Sequence, residues 1–404
     1  MDSKSIGDRI AGLRKKNNMT QASLAKKLNI SDKTVSKWEN GQGFPDITAF
    51  PLLSSLFGVS VDYLMFGAKK GIAIAGSLIA DIVKNIDVYP APGMMAYVSD
   101  VTPAVGGCVP NTAINLSKID RSIPISTFGK VGNDENGRYI VSQLLKNGID
   151  TDGISFSPTA ATSFCDVMSM PGGERTFFHK KGANAEFAPE NVRINYSDFN
   201  MLHIGYILLL DEFDKGDAEY GTVMARFLHD VQKHGVKTSI DIVSDSDADY
   251  AEKIIPALKY CNFAIINELE CCRIFGIDAY DSDGNLDKES VKTAMRKAVD
   301  CGVSDKVIVH SKKVSFILNA ASGEICDVPS LDIPKDLIKG SVGAGDAFCA
   351  GCLYGIYNNL SDRQILEFAS SAAACSLFEA NSVDGMKSKG EIMSLSEKYG
   401  RVKI

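Results

Sequence analysis

No apolar run among the 404 residues is long enough to cross a bilayer. The longest, such as MLHIGYILLL over 201–210, falls well short of the roughly 20 residues a spanning helix needs. The opening MDSKSIGDRI carries no apolar signal-peptide core, so a cytoplasmic location with no membrane partner is expected. The five histidines show neither HExxH nor another paired ligand spacing, which gives no support to zinc-hydrolase chemistry. A GxSxG elbow is missing, and so is the GxxxxGK[ST] loop of the Walker type. The ten cysteines are scattered and include the adjacent pair Cys271-Cys272, a pattern that suits a reducing compartment better than a disulfide framework. Cys349 and Cys352 form a CxxC without a second pair. They fall inside an apolar segment, where they read as packed small side chains.

The hydrophobic content of 45% and charged content of 23% are ordinary for a soluble globular chain, and the length favours two domains. The net charge of −7 hides an asymmetry. Residues 1–66 hold nine Lys/Arg against six Asp/Glu, a balance of +3; the remainder holds 34 against 44, a balance of −10. A small basic head on a large acidic body suggests two different partners. The stretch 67–71, GAKKG, reads as a linker between a head of 1–66 and a body of 72–404. Its shortness leaves little slack, so events in the body are expected to reach the head.

Five short helices are predicted over residues 5–66. Ile6, Ile10 and Leu13 share one face. Thr20 caps a second helix that buries Leu24 and Leu28. The chain turns at NIS, and Ser31 caps a third helix with Val35 and Trp38 inward. Gly41 supplies a left-handed C-cap. Pro45-Asp46 opens a fourth helix and SVDYLMFG forms a fifth. The segment MTQASLAKKLNISDKTVSKWENGQGFPD resembles the lambda-repressor-like (XRE, Cro-type) helix-turn-helix family, and the likeness covers nearly all of 5–66. It implies that the third helix enters the major groove of double-stranded DNA. Gln21 would hold a phosphate; Asp32, Lys33, Thr34 and Lys37 would face base edges or phosphates; Asn40 would contact backbone. One module neutralises few phosphates, so a homodimer is expected.

In the body, β-branched runs alternate with helical stretches. Strands are expected at Ile72–Ala75, Ile123–Thr127, Met201–Ile204, Thr238–Ile242, Phe263–Ile266 and Val307–Val309, and helices at Gly137–Asn147 and Gly221–His234. This is the pattern of an α/β fold with a mostly parallel sheet covered on both faces. GERTFF and the stretch near Ile86–Tyr89 fit that sheet poorly and are assigned to a small separate one. Phe177-Phe178 are assigned to packing within it, and His203, in an apolar strand, to the core. Near the end stands GSVGAGDAF, 340–348, ahead of a small, apolar helical segment. Bare backbone at a helix mouth lets an anion approach amides that lack intrahelical partners. Gly343, Ala344 and Gly345 would form such an anion hole, with the Asp346 carboxylate beside it. That pairing suits phosphoryl transfer to a hydroxyl. The nine residues alone are equally compatible with a glycine-rich turn in which Asp346 stabilises a helix start.

Further motifs bear on that choice. GSVGAGDAFCAG resembles the C-terminal signature of the ribokinase-like (PfkB-type) carbohydrate kinases, and VGGCVPNTAINLSKID (105–120) their N-terminal signature. GKVGNDENGRYIVSQLLKNGIDTDGI, GANAEFAPE and INELE also match, in order, so the likeness spans about residues 70–386. It implies a three-layer α/β/α sandwich with a small β-sheet lid, ATP and Mg2+ as cofactors, and transfer of the γ-phosphoryl group to a hydroxymethyl group of a small sugar. By position, Asp346 would be the base, and Asp81, at a strand end, would hold sugar hydroxyls. Gly106 and Gly107 would let the sugar lie against backbone, and Asn111 would bond another hydroxyl. Asn267 and Glu270 would sit near magnesium and phosphates, and Lys312 near the phosphates. Lys180 or Lys181 would accommodate an acidic sugar or be solvated. Two departures stand out. Gly340, Ser341 and Val342 replace the family's acid and Ser/Thr, which speaks against its frequent monovalent-cation site. Lys312 and Ser315 stand where glycines admit the nucleotide. An alternative reading follows: a transcription regulator whose kinase-like body only senses sugar or nucleotide.

Overall fold

The computed structural model describes residues 2–67, 69–170, 175–244 and 249–403, so Ala68 of the expected linker and Gly173-Glu174 of GERTFF lie outside the described residues. The chain divides into two compact units, Met1–Lys70 and Gly71–Ile404. No helix among the described residues is long and apolar enough to cross a membrane.

The first unit holds five helices: α1 (Ser3–Lys16), α2 (Gln21–Leu28), α3 (Asp32–Glu39), α4 (Ala49–Phe57) and α5 (Val61–Phe66). The expected caps Thr20 and Ser31 are in place, and Ser60 adds one that was not assigned from sequence. Thr20 accepts from the Ser23 amide, Ser31 from Thr34 and Ser60 from Tyr63. Asn29, in the left-handed region at φ 56°, makes the turn between α2 and α3. Ile6, Ile10, Leu24, Val35, Leu53 and Leu64 form the core with Trp38. The fourth helix begins three residues later than expected, because Asp46 spends its carboxylate on a tight turn, accepting from the Thr48 amide and hydroxyl.

The second unit is built on a nine-stranded sheet. Its strands are β1 (Gly71–Gly76), β4 (Ile125–Gly132), β5 (Asp150–Ser157), β8 (Phe199–Ile207), β11 (Lys237–Ile242), β12 (Phe263–Asn267), β13 (Lys306–His310), β14 (Val314–Asn319) and β15 (Ile325–Pro329), in the order β15-β14-β13-β12-β11-β8-β1-β4-β5. All pairings from β13 to β5 are parallel, while β14 and β15 run antiparallel on one edge. A four-stranded sheet, β3-β2-β6-β7, stands apart, formed by β2 (Ile79–Ile86), β3 (Val98–Gly106), β6 (Phe164–Ser169) and β7 (Arg175–Lys180). A short ribbon, β9 (Gly216–Asp217) and β10 (Gly221–Thr222), completes the strands. The helices are α6 (Cys108–Ile119), α7 (Glu135–Lys146), α8 (Val223–Lys233), α9 (Tyr250–Leu258), α10 (Glu268–Arg273), α11 (Lys288–Asp300), α12 (Ala344–Tyr357), α13 (Asp362–Ser376) and α14 (Lys389–Lys398). Two apolar cores cover the two faces of the large sheet. One joins Leu202, Ile204 and Ile240 to Leu228, Ile254 and Met295; the other joins Ile72, Ile74 and Ile265 to Val109, Phe348 and Leu366.

Two expectations need correction. Asp81 is not at the end of β1. Gly76, at φ 131°, turns the chain out of the large sheet, and Asp81 sits within β2 of the small one. Phe177 and Phe178 are not packed; they are 53% and 56% exposed. Their strand is the edge of a single-layer sheet whose own core is little more than Ile79, Cys165 and Val167.

Candidate active site

In open parallel sheets, ligands bind beyond the carboxyl ends of the strands, where the strand order reverses. Here the order reverses at β1, which lies between β4 and β8. The carboxyl ends of β8, β11, β12 and β13 deliver Tyr206, Asp241, Asn267 and His310 to one side, where α12 also starts.

Asp346 lies in the first turn of α12 and is 5% exposed. Its Oδ2 accepts from Asn111 Nδ2 at 2.9 Å, and the Tyr206 hydroxyl lies 3.2 Å from Oδ1 and 3.1 Å from Oδ2. Burial pushes the carboxyl up to about 7, outweighing the Asn111 and Tyr206 hydrogen bonds, and nearby Asp81 pushes in the same direction. Gly343 caps the helix at φ 77° with no side chain on the first amides; a Cβ there would meet Ser382 at 2.4 Å. At Gly345 a Cβ would make only ordinary contact with His310, at 3.5 Å. Packing therefore does not demand a glycine at 345, whereas an anion approaching the amides would.

Two cavities meet at Asp346. One, of about 580 Å³, is lined by Asp81, Gly107, Asn111, Arg175, His179 and Asp346 among others. Burial raises the Asp81 carboxyl to about 7 against the pull of Arg175. Gly106 has a different job from the one expected. A Cβ there would lie 2.4 Å from Asp81 Oδ2, so its bareness makes room for that carboxylate. Gly107 does line the cavity, with φ 84°. Asn111 turns its Nδ2 to Asp346, and its buried Oδ1 is left without a partner. Lys180 and Lys181 do not line the cavity, and Lys181 pairs with Asp211 at 2.5 Å. Arg175 is the cation in the cavity wall.

The second cavity, of about 280 Å³, is lined by Asp241, Ser244, Asn267, Glu270 and residues 343–346. The NELE motif is a capping box at the start of α10: Asn267 Oδ1 accepts from the Glu270 amide, and Glu270 Oε2 accepts from the Asn267 amide. Glu270 Oε1 accepts from the Ser244 hydroxyl at 2.7 Å. Glu270 is 6% exposed, and burial raises it to about 7. Asp241 is also raised, by burial and then by Asp346 and Glu270. A third cavity, of about 570 Å³, runs past Asn267, Lys312, Ser315 and Gly345. Ser315 does not obstruct it by pointing in: its hydroxyl is committed to the Val328 carbonyl and to Ser370.

Tyr206, Asp241, Ser244 and Arg175 were missed from sequence. The one available signal was a phenol in the apolar run of β8; its backbone at φ 61° is a conformation that costs a non-glycine residue and clusters at functional sites. In the first unit, Asp32, Lys33, Lys37 and Asn40 are exposed, and Thr34 is half-buried with its hydroxyl on Ser31. Gln21 faces inward in part, its Nε2 donating to Glu39 Oε2 at 2.7 Å.

Residues 69–389 match the family model described as pfkB family carbohydrate kinase, and residues 10–64 match a helix-turn-helix model. The 5-dehydro-2-deoxygluconokinase of Geobacillus kaustophilus is 23% identical over 348 residues, covering 84% of this chain and 98% of that protein. A ribokinase from Arabidopsis thaliana, solved with ribose and ATP, superposes with TM-score 0.65 at 20% identity, over 81% of this chain and 98% of that one. A putative ribokinase II from E. coli, solved with ATP and Mg2+, superposes with TM-score 0.65 at 17% identity, over 81% and 99%. The chain belongs to the pfkB family of carbohydrate kinases, phosphotransferases with an alcohol group as acceptor, and carries a helix-turn-helix unit ahead of its kinase fold.

Proposed function

We propose that the body, 72–404, transfers the γ-phosphoryl group of ATP to a hydroxymethyl group of a small sugar, with Asp346 as the base. One observation carries this reading. Asp346 is shared by the cavity that holds Asp81 and Asn111 and by the cavity that holds Asn267 and Glu270. The sugar hydroxyl gives its proton to Asp346 as its oxygen bonds the γ-phosphorus and the bond to the β-phosphate oxygen breaks. The amides of residues 343–345 face the charge that develops. Asp81, Gly107 and the unpartnered Asn111 Oδ1 orient the sugar, and the small sheet excludes water. Asp241, Glu270, Asn267 and Ser244 offer an all-oxygen donor set, which fits magnesium. When bound, magnesium neutralises charge on the phosphates. The cavity beside Lys312 would take the nucleotide, and the placing of Asp346 between the two other cavities favours turnover over the sensor-only reading.

Arg175 points to an acidic sugar, in keeping with the name of the Geobacillus relative. The test is ATP consumption across pentoses, hexoses, keto-deoxy sugar acids and nucleosides. A sugar acid should give the highest kcat/KM, and Arg175→Ala should raise its KM by about tenfold or more while sparing neutral sugars. Equal loss on neutral and acidic sugars would remove Arg175 from carboxylate recognition.

The pH profile is a second test. Only ionised Asp346 accepts a proton, and its carboxyl is raised to about 7. Below that pH the ionised fraction falls tenfold per unit, so kcat/KM should fall at least as steeply on the acid side and level off above it. A flat profile from about pH 5.5 to about 8 would contradict this assignment.

The head, 1–66, is proposed to bind operator DNA through Asp32, Lys33, Thr34, Lys37 and Asn40, coupling sugar supply to transcription. The chain is proposed to act in the cytoplasm as a homodimer; the exposure of Met94, Met95 and Tyr97, 72%, 80% and 75% in the loop joining β2 to β3, supports the homodimer. Operator affinity that is the same with and without sugar and ATP would argue against the coupling.

A further inference from the structure

Next to Asp346 lies a buried cluster of which phosphoryl transfer uses only Asp241. Cys108 begins α6, one turn before Asn111, and Cys349 follows Asp346 by one turn of α12. His203 and Asp241 come from the neighbouring strands β8 and β11. The ligand atoms of Cys108, His203 and Asp241 all lie within 4.8 Å of one another, and all three residues are buried. Among the described residues this is the one such group of three.

The histidine is already oriented as a ligand. His203 Nδ1 lies 3.0 Å from the Ser239 hydroxyl, across the register that pairs the two residues. An Nδ1–H donated to Ser239 leaves the Nε2 lone pair facing the thiols, the arrangement that outer hydrogen bonds impose on metal-binding imidazoles. Nε2 lies 3.6 Å from Cys349 Sγ. Bonds of about 2.0–2.1 Å to nitrogen and about 2.3 Å to sulfur at a tetrahedral angle separate the two atoms by about 3.5 Å. Asp241 and Cys349 both line the 280 Å³ cavity, which supplies an entry path.

We propose that Cys108, His203 and Asp241 bind a thiophilic divalent cation such as zinc or cobalt, and that Cys349, which lies outside that group of three but 3.6 Å from His203 Nε2, moves in as fourth donor. The chemistry differs from that of the magnesium pocket, because thiolate and imidazole select borderline and soft ions that oxygen-only sites do not. Binding involves no redox change: the hydrated ion sheds water, and each coordinating thiol releases a proton to solvent. Occupancy draws Asp241 away from the oxygen donors that face the phosphates. On the reading of Asp241 as a magnesium ligand, zinc is therefore an inhibitor that competes with magnesium and is relieved by its excess.

The test is a cobalt titration of the metal-stripped, full-length protein kept reduced with a phosphine. Expected is one equivalent bound, with thiolate-to-cobalt charge transfer in the near ultraviolet and visible bands of tetrahedral intensity. Cys108→Ser and Cys349→Ser should each weaken binding by about tenfold or more, whereas Cys326→Ser, in β15, should leave the spectrum intact. Thermal melts of the apo-proteins establish that each variant is folded, and His203→Asn, close in size, provides an independent deletion of the imidazole. Absence of the bands in the parent protein, or their persistence in both folded cysteine variants, overturns the proposal. Zinc inhibition of sugar phosphorylation is measured alongside at limiting and at saturating magnesium. Cobalt bands without zinc inhibition would uphold the site and refute the placement of Asp241 on magnesium.

Discussion

Asp346→Asn is expected to lower kcat by about 10²–10⁴-fold with the KM for sugar within a few-fold. The substitution keeps the side-chain shape and removes only the ability to take a proton. Its carbonyl oxygen still accepts from Asn111 Nδ2, and the Tyr206 hydroxyl, a donor to the carboxylate, can accept from the new amide instead. Burial disfavours the charged carboxylate, as its rise to about 7 shows. A neutral amide escapes that penalty, so the variant should melt no lower than the parent. These two results together separate the base from the alternative that Asp346 merely steadies a helix start. A structural carboxylate would be lost as stability, with turnover retained in the folded fraction. Steady-state kinetics with a calorimetric melt reads both. Turnover within tenfold of the parent would remove Asp346 from proton transfer.

How far the sequence spoke for this site depended on how local each signal was. Caps are local, and Thr20 and Ser31 are where side-chain chemistry put them. The glycines before Asp346 were legible as a helix mouth for the same reason, while the choice between an anion hole and a plain turn needed the more distant motifs. β4 continues past the expected end at Thr127, through Gly129 and Gly132. In the fold they are required by close packing: a Cβ on Gly129 would lie 2.3 Å from Leu78, and one on Gly132 2.4 Å from the Thr162 amide. No pattern within the strand carries that information. The resemblance placed Glu270 near magnesium, but only the fold shows it buried against Ser244. Tyr206, Asp241 and Arg175 belong to three elements that meet solely because β8 and β11 are neighbours and the small sheet stands over their ends. Lys180 and Lys181 were reasonable candidates for an acidic sugar by charge alone, but strand alternation gave the cavity to Arg175, Phe177 and His179.

Glu39→Ala is expected to unfold the first unit while phosphorylation by the second continues. Arg14 and Glu39 are 9% and 7% exposed, and the pair is bidentate: Arg14 Nε to Oε1 at 2.6 Å and Nη2 to Oε2 at 2.8 Å. Gln21 Nε2 adds a third bond to the carboxylate, and Arg14 Nη1 reaches the Met19 carbonyl. The cluster therefore ties α1, the start of α2 and the end of α3 together. Burial pushes the Glu39 carboxyl up, but the hydrogen bonds from Arg14 and Gln21 win and hold it below the usual range. A depressed carboxyl contributes stability that is present above its unfolded pKa and is lost as pH falls through the folded one. Removing Glu39 leaves the guanidinium buried without its partner, a loss of about 3–5 kcal/mol. Small domains of this size rarely hold more than about 3–5 kcal/mol in a single core, so the loss matches the whole stability. The same change frees Gln21, whose side chain is held by the Glu39 carboxylate. Hydrogen exchange should show protection lost across α1–α3 and retained across the large sheet, and operator binding should vanish with kcat unchanged. Native exchange rates in α1–α3 of the Glu39→Ala protein would show that the pair does not hold the helices together.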